Sequence, residues 1–184
     1  IQLDDGGNPQ RTVANIAKLL SEERADHLFG LTGDACIAAA LKSPAFLASD
    51  KLLLAPMSGA EHGSDRVIYL RASYGEEIAA ILATLNGAGL KSFAIAHSAN
   101  ATGIAARDAA LALLKKRGVT AASLALPADP RRLGASALTL LGHNPQAVVI
   151  LADTIPTALL ARELRGRNPG LFVCATSSVD PAAL

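Results

Sequence analysis

The sequence predicts an α/β protein whose parallel strands are doubly wound by helices. Short apolar runs alternate with segments of helical period along the whole chain. The crossover from each strand to the next reads as carrying a helix, which implies parallel pairing and right-handed βαβ units. Apolar residues make up 51% of the chain but aromatic residues only 3%, so the core must be built from Ala, Leu, Val and Ile.

The elements follow in order. Residues 1–3 read as a strand, and Asn8 caps a helix with Pro9 at its first position, where a missing N–H is harmless. Val13, Ile16, Ala17 and Leu20 give that helix its apolar stripe at i, i+3, i+4, i+7. Residues 27–31 form the next strand, and Asp34 can cap a helix reaching Leu41. Residues 52–55 and 67–70 are the third and fourth strands. Ser73-x-x-Glu76 spells a capping box opening a helix with the stripe Ile78, Ile81, Leu82 and Leu85. A strand at 92–96 precedes a helix over 101–116 that Gly118 ends. Three units follow: strand 119–124 with a helix after Asp129-Pro130, strand 147–151 with a helix from Pro156, and strand 171–174. Between Pro56 and Tyr74 the alternation weakens into a loop rich in Gly59, Gly63, Ser58, Ser64 and Asp65. The chain divides there, into lobes spanning 1–72 and 73–184.

Composition removes several function classes. The 184 residues hold 17 Lys+Arg against 16 Asp+Glu, a net charge of +1 that supplies no basic face for nucleic acid. The apolar runs fall far short of the ~20 residues of a membrane span, so no membrane insertion of this chain is expected. Cys36 and Cys174 are too few and too far apart for a disulfide framework. The chain opens without Met or a basic, apolar leader, and reads as an internal or processed segment.

Catalytic motifs are sparse. Neither G-x-G-x-x-G nor G-x-x-x-x-G-K-[ST] occurs, and the first loop, Asp5-Gly6-Gly7-Asn8, carries acid where a pyrophosphate needs bare amides, so no cofactor is expected. The stretch from Pro56 to Ala60 keeps only the central Ser-Gly of a nucleophile elbow. Ser58 with His62 is a formal Ser–His pair for a hydrolase-like enzyme, but a polar loop with an incidental His is the favoured reading. No His or Cys pair has zinc-ligand spacing. Glu76 and Glu77 read as acids complementing a helix dipole.

Ligands in open α/β sheets bind beyond the carboxyl ends of the strands. The loops there are Thr32-Gly33-Asp34, Ser58-Gly59-Ala60-Glu61, Ser98-Ala99-Asn100-Ala101-Thr102, Asp153-Thr154 and Thr176-Ser177-Ser178. They carry small hydroxyl and amide groups at helix N-termini, whose free N–H groups suit a carboxylate or another polar head. Any one of these residues is most simply a cap; five such loops on one edge suggest a shared cleft.

At these residues the chain resembles a known family. The run from Ala25 to Gly33, preceded by Asn8-Pro9 and Asn15-x-x-Lys18-Leu19, is similar to the first-lobe signature of type I periplasmic binding proteins. It looks most like the branched-chain amino-acid (leucine/isoleucine/valine) receptors of ABC transporters. The run from Pro56 to Glu61, the segment Arg71-Ala72-Ser73-Tyr74-Gly75-Glu76-Glu77 and the run from Pro145 to Val149 extend the likeness over nearly the whole chain.

The resemblance implies a non-catalytic, periplasmic two-lobe receptor that closes by a hinge on a small polar ligand, an amino acid or relative. It would deliver that ligand to an ABC permease in the inner membrane. A ligand-sensing regulator of the same fold, responsive to amides or amino acids, is the alternative it implies. First-lobe ligand contacts fall on Thr32, Gly33, Asp34, Ser58, Gly59 and Ala60; Tyr74 falls at the crossing between lobes. Second-lobe contacts fall on Thr102, Thr154 and Ser177. Family members that grip an amino acid usually carry aromatics at the Thr102 and Thr154 positions and an acid near Ser177. Here acids stand instead at Asp34 and Asp153. A carboxylate beside a ligand carboxylate repels it by ~1 kcal/mol or more, depending on the dielectric. Either Asp34 only caps its helix or the ligand is not a plain aliphatic amino acid. The family fold also has a strand and helix before residue 1 and returns to the first lobe after residue 184, so the first lobe is expected to be incomplete.

Overall fold

A computed structural model describes residues 1–60 and 62–183. Glu61, the last residue of the second predicted loop, and Leu184 lie outside the described residues. The contacts divide the chain into two compact units, Ile1–Ser73 and Tyr74–Leu184.

The first unit opens with helix α1 (Pro9–Ser21), which Asn8 caps by accepting from the Gln10 and Arg11 amides. Strand β1 (His27–Phe29) leads to α2 (Asp34–Leu41) and the short α3 (Pro44–Leu47), followed by β2 (Leu52–Leu54) and β3 (Val67–Ile68). The three strands form one parallel sheet in the order β1-β2-β3. Leu28, Leu53 and Val67 face one way and pack with Ile16, Ile37, Ala40 and Phe46 from the three helices. Phe29 and Ile68 stand exposed, in the alternation that a strand imposes. This sheet is therefore packed on one face only.

The second unit is wound on both faces. Helix α4 (Tyr74–Gly87), β4 (Phe93–Ser98), α5 (Ala101–Lys116), β5 (Ala121–Leu126), α6 (Leu133–Gly142), β6 (Ala147–Leu151), α7 (Thr154–Arg167) and β7 (Phe172–Ala175) follow in order. All strand pairs are parallel, in the order β5-β4-β6-β7. Period-two alternation sorts the core. Phe93, Ile95, Ala147 and Val149 pack under α4 and α5 with Ile78, Leu82, Ala110 and Leu114. Ala94, Ala96, Val148 and Ile150 pack under α6 and α7 with Leu133, Leu140, Leu160 and Leu164. Strands buried on both faces read as continuous apolar runs, which is why β6 is so plain in the sequence.

Several expected boundaries move for local reasons. Residues 1–3 form no strand; together with β1 they line a cavity of about 1100 Å³. The strand expected over 27–31 stops at Phe29 because Gly30 turns to φ +71°. Ala55, at φ +49°, likewise ends β2, and β3, which pairs only with Leu53 and Leu54, stops with it. Strand β5 begins two residues later than expected because it runs in register with β4 from Phe93↔Ala121 to Ser98↔Leu126. Helix α7 starts at Thr154, with Pro156 inside the first turn where its missing N–H breaks no bond. Helix α3 was not expected, although Ser43 followed by Pro44 carried its signal: the Ser43 hydroxyl accepts from the Phe46 amide at 3.3 Å.

Candidate functional site

The predicted ligand residues of the first unit come together where β1 and β2 end. The Met57 amide donates to the Leu31 carbonyl at 2.8 Å, and Thr32 bridges Met57 in parallel fashion, so the two loops are zipped side by side. Thr32 and Gly33 are exposed. Gly33 is the N-cap of α2 at φ +90° and ψ +131°, a conformation open to glycine alone, and it leaves the first amides of the helix without a side-chain cap. Asp34 does not cap the helix as expected. It is the first helical residue, and its carboxylate accepts the hydroxyl of Ser58.

That bond commits Ser58. The residue is entirely buried, its proton points at Asp34, and its oxygen accepts the Ala60 amide at 2.9 Å. Gly59 is buried beside it and Ala60 half-buried. Ser58 makes no hydrogen bond to His62, whose Nε2 is buried without a partner and whose amide donates to the Tyr69 hydroxyl. The Ser–His arrangement of the hydrolase reading is thus not formed. Nearby, the Thr12 hydroxyl donates to Asp5 at 2.6 Å. With the Gly7 amide assisting, this bond holds the Asp5 carboxyl below its usual range against the opposing effect of burial.

In the second unit the loops at the carboxyl ends of β4, β6 and β7 are each fastened. Asn100 caps α5 by accepting the Gly103 amide at 2.8 Å, and Thr102 stands exposed in its first turn. Asp153 is the N-cap residue of α7 but makes no side-chain cap bond. The Thr154 hydroxyl accepts the Asp180 amide at 3.1 Å. Buried Thr157 donates to the Ala152 carbonyl at 3.1 Å. Ser177 gives both its amide and its hydroxyl to Glu77, at 2.9 and 2.6 Å. Tyr74, half-buried, opens the same helix α4.

Glu77 is the residue that sequence reasoning missed. As an acid in the first turn of α4 it looked like a dipole partner, and nothing local signals that it reaches a loop 100 residues away. The carboxylate beside Ser177 is thus supplied by α4. Among the described residues no group of three or more His, Cys, Asp or Glu could hold a metal ion, and no helix is long and apolar enough to cross a membrane. Cys36 and Cys174 are both free thiols, and burial pushes Cys174 up.

Comparison with known proteins extends these observations. No curated protein sequence matches the chain significantly. An extracellular ligand-binding receptor from Verminephrobacter eiseniae superposes with a TM-score of 0.88 at 18% identity, over 100% of this chain and 53% of its own. A possible leucine/isoleucine/valine-binding protein from Rhodopirellula baltica is 25% identical with a TM-score of 0.76, over 100% and 52%. An ABC-transporter solute-binding protein from R. palustris, solved with 4-hydroxybenzoate, gives a TM-score of 0.82 at 16% identity, over 97% and 50%. The chain thus spans about half the length of these structures. The sequence profile described as Periplasmic binding protein matches residues 1–184, end to end. Parallel α/β units, polar loops at their carboxyl edges and this end-to-end match agree: the chain belongs to the periplasmic binding protein family and has the type I fold of the leucine/isoleucine/valine receptors.

Proposed function

We propose that this chain is ligand-binding sequence of an extracytoplasmic solute-binding protein serving an ABC importer, and that it works without catalysis. The observation that carries the proposal is the end-to-end family match. The geometry of the loops supports it: in the first unit the two polar loops at the carboxyl edge are tied to one another by hydrogen bonds, and in the second the loop after β7 is tied to Thr154 and to Glu77 of α4. Preformed loops lose little entropy on binding, which favours capture of a small solute.

In the proposed mechanism the first-unit loops carrying Thr32, Gly33, Asp34, Ser58, Gly59 and Ala60 hold one side of the solute. Thr102, Thr154 and Ser177 approach from the second unit by hinge closure, with the chain crossing between units next to Tyr74. Ser58 acts from behind, orienting Asp34 without touching the ligand. The loaded protein is offered to a permease in the inner membrane, from the periplasm.

The test is a thermal-shift panel of aliphatic and aromatic amino acids, their amides, and aromatic carboxylates. A ligand at a hundred times its dissociation constant adds ~2.7 kcal/mol of stability. A dose-dependent rise in midpoint with one chemical class is expected. A flat response across the panel, repeated by calorimetry, would overturn the receptor reading.

A further inference from the structure

The net charge of +1 hides how charges are sorted within the second unit. All its strands are parallel, so they begin at one edge of the sheet, and the helices between them end there. The register Phe93↔Ala121, Phe93↔Ala147 and Ala147↔Phe172 sets the starts of β4, β5, β6 and β7 side by side. Lys91 stands just before β4, Lys115 and Lys116 close α5, and Arg117 is its C-cap. Arg165 and Arg167 occupy the last turn of α7. All six are exposed. Arg167 pairs with Glu163 of its own helix, while the others make no ion pair among the described residues. Residues 88–92, 115–120, 142–146 and 165–171, which make up this amino edge, contain no Asp or Glu. Glu76, Glu77, Asp153 and Asp180 stand at the opposite, carboxyl edge. Helix dipoles account for cations in the last turns of α5 and α7. They do not account for Lys91, which lies in a loop. Gln146 knits this loop to β7: its Oε1 accepts the Lys91 and Ser92 amides at 2.7 and 3.1 Å, and its carbonyl accepts the Phe172 amide at 3.2 Å. Phe172, 52% exposed, is thereby fixed on the same edge.

We infer that this amino edge is a docking surface for an anionic phospholipid bilayer. The inference goes beyond the proposed receptor function and does not depend on it. Cations that end several parallel elements at one level suit a flat charged surface. A nucleic acid asks instead for a groove or a helix that presents its charges. Each Lys or Arg brought to an anionic bilayer strengthens binding roughly fivefold. Binding at such an interface also grows with buried apolar area, which the Phe172 ring supplies. The loops carrying Thr102, Thr154 and Ser177 lie at the other edge of the sheet, so docking leaves them uncovered.

The experiment is co-sedimentation of the whole chain with vesicles of phosphatidylcholine alone or mixed with phosphatidylglycerol. Binding to the anionic vesicles only, lost as salt is raised from about 50 to 300 mM, is expected because screening shortens the reach of exposed charges. Lys115→Gln with Lys116→Gln, checked for fold by circular dichroism, should weaken binding at least tenfold. Lys18→Gln with Lys42→Gln removes as much charge from exposed positions of the first unit and should leave binding within twofold. Phe172→Ala should weaken it severalfold; unchanged binding would remove the ring from the docking surface. Equal losses in the two lysine pairs would show that net charge, not this edge, attracts the chain, and would overturn the inference. Absence of binding, or equal binding to both vesicles, overturns it as well. Tighter binding to a DNA duplex than to the anionic vesicles overturns the choice of partner.

Discussion

At the scale of single residues, Asp5 shows how a small contact becomes a property measurable in solution. The Thr12 hydroxyl is the main reason its carboxyl sits below the ordinary value of about 3.9. A depressed folded-state value means that the ionised form is preferred by the native state. Its stabilisation is present above the ordinary carboxylate range and is lost as pH falls through that range toward the folded value. Thermal midpoints measured from about pH 6 down to about pH 3 should therefore fall less steeply in Asp5→Asn than in the parent chain. Equal slopes would show that the Thr12 bond contributes nothing. Asp129 beside Arg131 shifts in the same direction, but the pair is solvent-exposed and water screens it. Legibility at this scale was uneven. Asn8 and Asn100 cap their helices, and both capping signals lie within three residues in the sequence. Ser58 with Asp34 and Ser177 with Glu77 were not legible, because partners 24 and 100 residues apart meet only after the sheets have formed.

At the scale of elements, the sequence was most informative where burial is complete. The apolar run at 147–151 is strand β6 without adjustment, and the helix over 101–116 is α5. Strands β1 to β3 were each overestimated in length, because their ends depend on backbone turns at Gly30 and Ala55, not on hydrophobicity. The seating of α5 on β4 is tight at Gly103. A Cβ on Gly103 would lie 2.2 Å from the Ser98 carbonyl oxygen and 2.8 Å from the Ser98 Cβ. Since that neighbour is backbone, the helix itself must move, an overpacking cost of about 1–3 kcal/mol. Gly103→Ala should lower stability by that amount in urea titration. Gly87→Ala, in α4, meets nothing within 4 Å; it should be neutral or stabilising by up to ~1 kcal/mol. Similar losses in both variants would show that helix propensity, not the Ser98 contact, sets the result.

At the scale of the whole molecule, the two units differ in how their sheets are covered. The second unit buries β4 and β6 between two apolar layers, while the first packs its sheet on one face and leaves Phe29 78% exposed. Local opening free energies follow such differences in buried apolar contact. Amide hydrogen exchange should therefore be slower in β4 and β6 than in β1, β2 and β3, by orders of magnitude in rate. Equal protection in both sheets would contradict this ranking. The fold class itself was legible because strand and helix periods alternate along the chain. The one-sided cover of the first sheet was not, because Phe29 and Ile68 are as apolar as the residues that end up inside.

The strand order of the second sheet also bears on how the chain acquires it. Strand β4 lies between β5, its successor in sequence, and β6, which is encoded later. Twenty-one positions separate Leu126, the end of β5, from Ala147, the start of β6. At a synthesis rate of ~5–20 residues/s, the β6 side of β4 goes without its native neighbour for roughly 1–4 s after β5 emerges. During that interval the nascent chain carries an open strand edge whose first four residues, Phe93 to Ala96, are apolar, and such an edge calls for chaperone cover.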